Sequence, residues 1–286
     1  MAVLALLWGG NSVGLKIGLE SLPPITLSTL RFALGWLLVG GWALLRGHSL
    51  SVPRSELGWI AAFAALFVVQ TIALTVGTHH TSAAHSTIIM SAFPFFTALL
   101  AHLLVPGDRL TLPVVAGIVV AFGGVAVTFI GRDIATGATA LGDLVLLGSS
   151  IGLALRTVCA KRFAGRVDAL QLLFWMMTLS LPPYAALALI FEDPFATPLS
   201  ARSAVALTYV GLVVAGFCFL SWFSMLHRYS PSRLSVLFFL QPLAGLAGSR
   251  LLVGEPVGPA LIAGGILVAV GIAVVNRPER PAAGRR

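Results

Sequence analysis

Residues 56–77 read ELGWIAAFAALFVVQTIALTVG. After the leading Glu56 the stretch carries no charge. About 20 such residues, wound as a helix, cross the hydrocarbon of a bilayer. The run is uniformly apolar instead of alternating, which favours a helix over a barrel strand. Working outward, nine further stretches read the same way, at about 2–19, 25–45, 82–104, 112–131, 142–161, 169–191, 202–226, 233–253 and 258–276. Turn chemistry separates them at Leu22-Pro23-Pro24, Gly47-His48-Ser49, Pro106-Gly107-Asp108, Glu192-Asp193-Pro194 and Gly254-Glu255-Pro256. The expected fold is an all-α membrane protein of ten transmembrane helices.

Composition agrees. Of 286 residues, 58% are hydrophobic and 10% charged, with a mean hydropathy of +0.98. A soluble domain carries roughly 25% charged residues. A disordered chain, a secreted disulfide scaffold and nearly every soluble enzyme are therefore excluded. Ten spans use roughly 200 residues, which leaves short loops and no room for a soluble domain. Cys159 and Cys218 lie inside apolar runs, without a CxxC pair or a disulfide framework. The first run lacks a basic leader and a cleavage sequence, so it reads as a span and not a signal peptide.

The net charge is +8. Its distribution fits loops facing anionic lipid and no nucleic-acid module. With the N-terminus on the cytoplasmic side, that side holds Arg46, Arg54, Arg109, Lys161, Arg162, Arg166, Arg228, Arg233, Arg277, Arg280, Arg285 and Arg286. The outer side holds Lys16, Arg31, Arg132, Arg202 and Arg250, and Arg156 lies within the sixth span. This bias predicts both termini in the cytoplasm.

A shift of 148 residues superposes Ser82 on Ser230, Pro94 on Pro242, Leu104 on Leu252, Gly117 on Gly265 and Gly123 on Gly271. The unit would be five helices, and an odd number inverts the second copy in the membrane. Inverted repeats are a plan of secondary transporters, with the substrate site near the midplane. The expected organisation is a first repeat over 1–131, a linker loop at 132–141, a second repeat over 142–276 and a basic cytoplasmic tail at 277–286.

Trp8-Gly9-Gly10-Asn11-Ser12, Lys16, Pro23-Pro24 and Leu30-Arg31-Phe32 together resemble the opening of the EamA family of the drug/metabolite transporter superfamily. Leu240-Gln241-Pro242-Leu243, Gly254-Glu255-Pro256 and the last span with Gly264, Gly265 and Gly271 resemble its late signature. The resemblance covers nearly the whole chain. It implies ten helices in two inverted five-helix repeats and export of amino acids or other metabolites from a bacterial cell through its inner membrane. Bacterial exporters of aromatic amino acids are the nearest in kind. Pro106-Gly107-Asp108 departs from the Gly-Glu that many members carry there.

On the first span, Gly10, Gly14 and Gly18 form a narrow packing arc, while Trp8, Asn11, Ser12 and Lys16 form a polar arc. A polar arc within the membrane either knits helices together or lines a cavity. Lys16 either snorkels beside Glu20 or receives a substrate carboxylate. Arg31 carries the same ambiguity, and Arg156 reads as a snorkelling residue or part of a gate. The fourth span offers His85, Ser86, Met90 and Phe93 toward a cavity. Pro94 and its repeat mate Pro242 are expected to kink their helices and free carbonyls for a ligand. Gln70, Trp175, Phe238 and Gln241 complete the expected lining. Helices one, three, four, six, eight and nine should supply it.

His79, His80 and His85 cluster without a thiolate or carboxylate among them, so no metal site is expected. Trp36, Trp42, Trp59 and Trp222 read as an interfacial belt. The carboxylates fall at or near span ends. There is no GxxxxGK[ST], HExxH or GxSxG, so no ATP-driven or hydrolytic activity and no cofactor is expected. The sequence thus predicts a monomeric exporter working by alternating access on a small molecule, most plausibly a neutral amino acid with a large apolar or aromatic side chain. A multidrug or nucleotide-sugar-type carrier is the alternative within the superfamily, and an intramembrane enzyme or lipid-binding scaffold the alternative outside it.

Overall fold

The computed structural model describes residues 2–104, 112–130, 139–163, 166–194, 196–228 and 241–275. In chain order the helices are α1 (Ala2–Gly9), α2 (Asn11–Gly18), α3 (Pro24–Leu45), α4 (Leu57–His79), α5 (Ala83–Met90), α6 (Phe93–Leu104), α7 (Leu112–Ile130), α8 (Ala140–Phe163) and α9 (Ala169–Phe191). Next come α10 (Ala201–Thr208), a π-helical segment (Tyr209–Cys218), α11 (Phe219–Arg228), α12 (Gln241–Gly248), a second π-helical segment (Ser249–Val253) and α13 (Pro259–Val275). Six stretches among the described residues are long and apolar enough to cross a membrane: Pro24–Leu45, Arg54–His79, Ala83–Leu104, Ala140–Ala160, Ala169–Phe191 and Ala201–Met225. Leu112–Thr128 and Pro259–Val274 are shorter apolar helices.

Three of the expected continuous spans are interrupted. The run at 2–19 breaks at Gly10, between α1 and α2. The Tyr209 hydroxyl donates to the Leu7 carbonyl beside that break. The run at 82–104 breaks at Ser91-Ala92, and the run at 202–226 passes through a π-helical segment. Pro94 is the second residue of α6, and the interruption of the run falls just before it, where its missing N–H leaves the Met90 carbonyl without that helical bond. The kink expected at Pro242 falls at the edge of residues 229–240 and lies outside the described residues. Residues 132–138 of the expected linker, 233–240 of the ninth expected span and the tail at 277–286 lie outside the described residues.

Local signals set the helix ends. Ser82 caps α5 by accepting from the His85 N–H at 3.1 Å. Asp168 opens α9 with a capping box completed by Gln171. Gly47 at φ 64° and Gly254 at φ 79° take the left-handed turn that ends their helices.

Small residues let the helices close together. A Cβ placed on Gly264 would lie 2.8 Å from the Gly124 carbonyl oxygen, and one on Gly271 would lie 2.7 Å from that of Gly117. α7 and α13 therefore meet backbone to backbone. The expected glycine arc on the first span packs as such: Gly10 and Gly14 face Tyr209 and Val210, and Gly18 faces Leu27. Phe32, Phe67, Tyr184 and Phe219 form the aromatic centre of one core.

At the end of the molecule where α2 and α4 finish, polar groups tie helix to helix. Glu192, just past α9, accepts the N–H groups of Ile25 and Thr26, each at 2.7 Å. Glu255 accepts those of Ala83 at 2.8 Å and Ala84 at 3.1 Å, and also bonds the Ser249 hydroxyl. Both carboxylates cap helix N-termini, where the exposed N–H groups favour negative charge. These two carboxylates near span ends thus serve as helix caps, Glu255 buried and Glu192 half-buried.

Candidate functional site

A small cavity of about 40 Å³ lies among the helices. α1 and α2 contribute Trp8, Asn11 and Ser12, α3 contributes Arg31, and α4 contributes Gln70, Thr71 and Leu74. Met90 of α5, Leu153 and Arg156 of α8, Val214 of the first π-helical segment, Phe219 of α11 and Gln241 of α12 close it. A second small cavity, of about 30 Å³, shares Trp8, Leu153, Arg156 and Phe219, and adds Phe63, Phe93, Ala160, Trp222 and Phe223. Its lining is apolar except for Arg156 and Thr157, and it extends away from the end that Glu192 and Glu255 tie together.

The break at Gly10 matters here. It separates two short helices, and the residues just after it, Asn11 and Ser12, are buried polar groups at the cavity wall. Of that arc, Trp8, Asn11 and Ser12 line the cavity. Gln70 is held by a reciprocal pair of bonds. Its Nε2 donates to Ser149 Oγ at 3.0 Å, and Ser149 Oγ donates to the Gln70 carbonyl at 2.8 Å. The serine proton is committed, so Ser149 must accept from the amide and the orientation of Gln70 is fixed. Gln70 Oε1 is left without a hydrogen-bond partner, as are Asn11 Oδ1 and Gln241 Oε1.

Arg31 and Arg156 are the charged residues of the cavity. Arg31 is 1% exposed and Arg156 7%, so neither snorkels. Arg31 lies over the Phe32 ring at 4.6 Å. Arg156 lies over Phe67 at 4.9 Å and Phe219 at 5.7 Å, and its Nη1 approaches Met176 Sδ at 3.8 Å. Ring faces partly compensate a buried guanidinium. Arg31 Nε and Nη1 and Arg156 Nε have no hydrogen-bond partner, and no ion pair among the described residues includes either arginine. Sequence reasoning left both as alternatives between snorkelling and function. A signal was available, since an arginine inside a span must face a cavity or a partner.

Other candidate residues stand elsewhere. Lys16 is absent from the cavity lining and does not pair with Glu20. Its ammonium donates to the carbonyls of Thr78 and His79, each at 3.3 Å, and to that of Thr81, so it caps the C-terminus of α4. Glu20 instead lies 3.6 Å from Arg202. Trp175 is also removed from the cavity. Its Nε1 donates at 2.7 Å to the Leu50 carbonyl, pinning the loop before α4. Ser86 stands one step behind the wall, bonding Ser12 Oγ at 3.2 Å and Thr78 Oγ1 at 2.8 Å. Met90 lines the central cavity and Phe93 the apolar one. Phe238 lies outside the described residues.

The histidine cluster needs a correction as well. A carboxylate does join it: His85 Nδ1 lies 3.1 Å from Asp143 Oδ2, both side chains are buried, and Thr81 donates to the other oxygen at 2.6 Å. Among the described residues no three His, Cys, Asp or Glu side chains come together as metal ligands. The second expected span, α3, which supplies Arg31, is an additional wall beyond the six expected.

A bundle of helices, several of them long and apolar enough to cross a membrane, around a polar-and-aromatic cavity is the architecture of a multi-pass membrane protein. Sequence comparison identifies which kind. The model of the EamA-like transporter family matches residues 1–130 and again 140–277, and the chain belongs to that family. Among its relatives, the uncharacterized transporter YvbV of Bacillus subtilis is 28% identical, over 98% of this chain and 91% of its own length. A probable amino-acid metabolite efflux pump of Escherichia coli is 27% identical over 94% and 92%. A probable terminal-alkyne amino-acid exporter of Streptantibioticus cattleyicolor is 25% identical over 94% and 90%. One solved crystal structure superposes with a TM-score of 0.72 at 21% identity, over 96% of this chain and 94% of the other, and shares the fold.

Proposed function

We propose that this chain is a secondary transporter of a bacterial inner membrane that exports neutral amino acids with large apolar or aromatic side chains, and related metabolites, by alternating access. The observation that carries this reading is the two-faced cavity. Guanidinium and amide groups on one side suit a carboxylate and a nitrogen, while Trp8, Phe63, Phe93, Phe219 and Trp222 suit a bulky apolar side chain. The relatives named for amino-acid efflux support it.

The architecture we assign is ten spans as two inverted five-helix repeats, 1–131 and 142–276, acting as a monomer in the bilayer without cofactor or nucleic acid. The two matches of one family model, the 148-residue internal register and the contact of α7 with α13 support it. Both termini are assigned to the cytoplasm from the Lys and Arg distribution. In that orientation the Lys16 end is the outer one, tied shut by helix caps, and the apolar cavity leads inward.

A bare lipophilic cation would meet Arg31 and Arg156 and, among the described residues, no carboxylate on the cavity wall. This disfavours the multidrug reading. Purified protein in liposomes should release preloaded phenylalanine, tryptophan, methionine and leucine faster than lysine or a quaternary ammonium dye. Faster movement of the dye would replace the amino-acid reading with the multidrug one.

A further inference from the structure

Arg31 and Arg156 set a charge balance that a zwitterion does not meet. Both are buried, both line one cavity, and no acidic side chain among the described residues stands on its wall. The described carboxylates nearest in kind are engaged at the tied end: Asp143 with Thr81 and His85, Glu192 with Ile25 and Thr26, Glu255 with Ala83 and Ala84. A guanidinium stays charged in a protein, and burying it without a counter-charge is costly. A zwitterionic amino acid brings one negative and one positive charge, so the cavity keeps its full excess of two. Its ammonium also has only amide oxygens to meet. A carboxylate whose nitrogen is uncharged removes one unit of that excess and introduces no new repulsion.

The wall specifies more than charge. Gln70 Oε1 is a fixed acceptor without a donor, because its amide nitrogen is committed to Ser149. An acylated nitrogen keeps one N–H to donate there. The apolar side chain and the acyl group both face aromatic and aliphatic lining. Arg31 comes from α3, in the first half of the sequence, and Arg156 from α8, in the second. One carboxylate between them would therefore join the two halves of the sequence.

Resting on the reading of this cavity as the cargo site, we infer that its preferred cargo is a net-anionic amino-acid derivative, an N-acylated amino acid with a large apolar side chain, held by its carboxylate between Arg31 and Arg156. Free amino acids are the weaker ligands of the same site.

The test uses the full-length protein in detergent, titrated calorimetrically with phenylalanine, N-acetylphenylalanine, phenylpyruvate and phenethylamine, and the same compounds in liposome counterflow. N-acetylphenylalanine should bind at least ~10-fold more tightly than phenylalanine, with phenylpyruvate between them and phenethylamine weakest. Arg31→Gln and Arg156→Gln should each remove most of that preference, while Arg156→Lys, which keeps the charge, should retain it. Thermal unfolding of each variant separates loss of fold from loss of the anion site. Phenylalanine binding as tightly as its N-acetyl form would overturn the inference and leave the amino-acid exporter standing. A preference surviving both glutamine variants would overturn the assignment to the arginines. Absence of binding and counterflow for all four compounds would overturn both readings.

Discussion

Glu192 and Thr26 are joined twice: the Glu192 Oε2 atom accepts the Thr26 N–H at 2.7 Å and the Thr26 hydroxyl at 2.9 Å. Oε1 takes the neighbouring Ile25 N–H. A side chain just past the end of α9 thereby supplies the cap that Pro23, with no side-chain oxygen, does not give α3. Removing it leaves N–H groups at the start of α3 without a partner. Glu192→Ala should destabilise the protein by about 1–2 kcal/mol, in the range of a lost N-cap. Thermal unfolding in detergent should show the lowered midpoint. An unchanged midpoint would mean that water replaces the cap.

Lys16 caps the C-terminal end of α4 and not the cargo. Lys16→Met should therefore alter the rate of transport and the balance between conformations, but not the ranking of substrates. The ratio of KM values for phenylalanine and N-acetylphenylalanine is the readout. A change in that ratio beyond ~3-fold would return Lys16 to the binding site.

The glycine seam makes a paired prediction. Gly264→Ala places a methyl against the Gly124 carbonyl oxygen and the Thr128 hydroxyl. It should cost about 1–3 kcal/mol through overpacking. Gly123→Ala meets nothing within 4 Å and should be tolerated. Equal unfolding midpoints for the two variants would show that α7 and α13 separate easily.

The Lys and Arg distribution predicts sidedness. A single cysteine at Thr136 should react with an impermeant thiol reagent on intact cells, in a background lacking Cys159 and Cys218. One at Gly284 should react only after the membrane is opened. Labelling of Gly284→Cys from outside would reverse the assigned topology.

Sequence alone determined the class. Long uncharged runs leave a chain no stable choice in lipid but helices, and that constraint is local enough to read directly. The glycine arc on the first span and the polar arc beside it were legible for the same reason, because the helical period fixes which residues share a face. Trp8, Asn11, Ser12, Gln70, Met90 and Gln241 follow from it, and the cavity gathers them.

What a side chain does on that face was decided by tertiary structure. Lys16, Arg31 and Arg156 are alike in sequence, each a cation inside or near the end of an apolar run. Lys16 meets three carbonyls because α4 happens to end beside it, whereas the two arginines meet ring faces and open space. His85 and Asp143 lie 58 positions apart, and Glu192 lies 166 from Thr26. No periodicity links residues at such separations. Their pairing depends on which helices become neighbours, and contacts between helices set that.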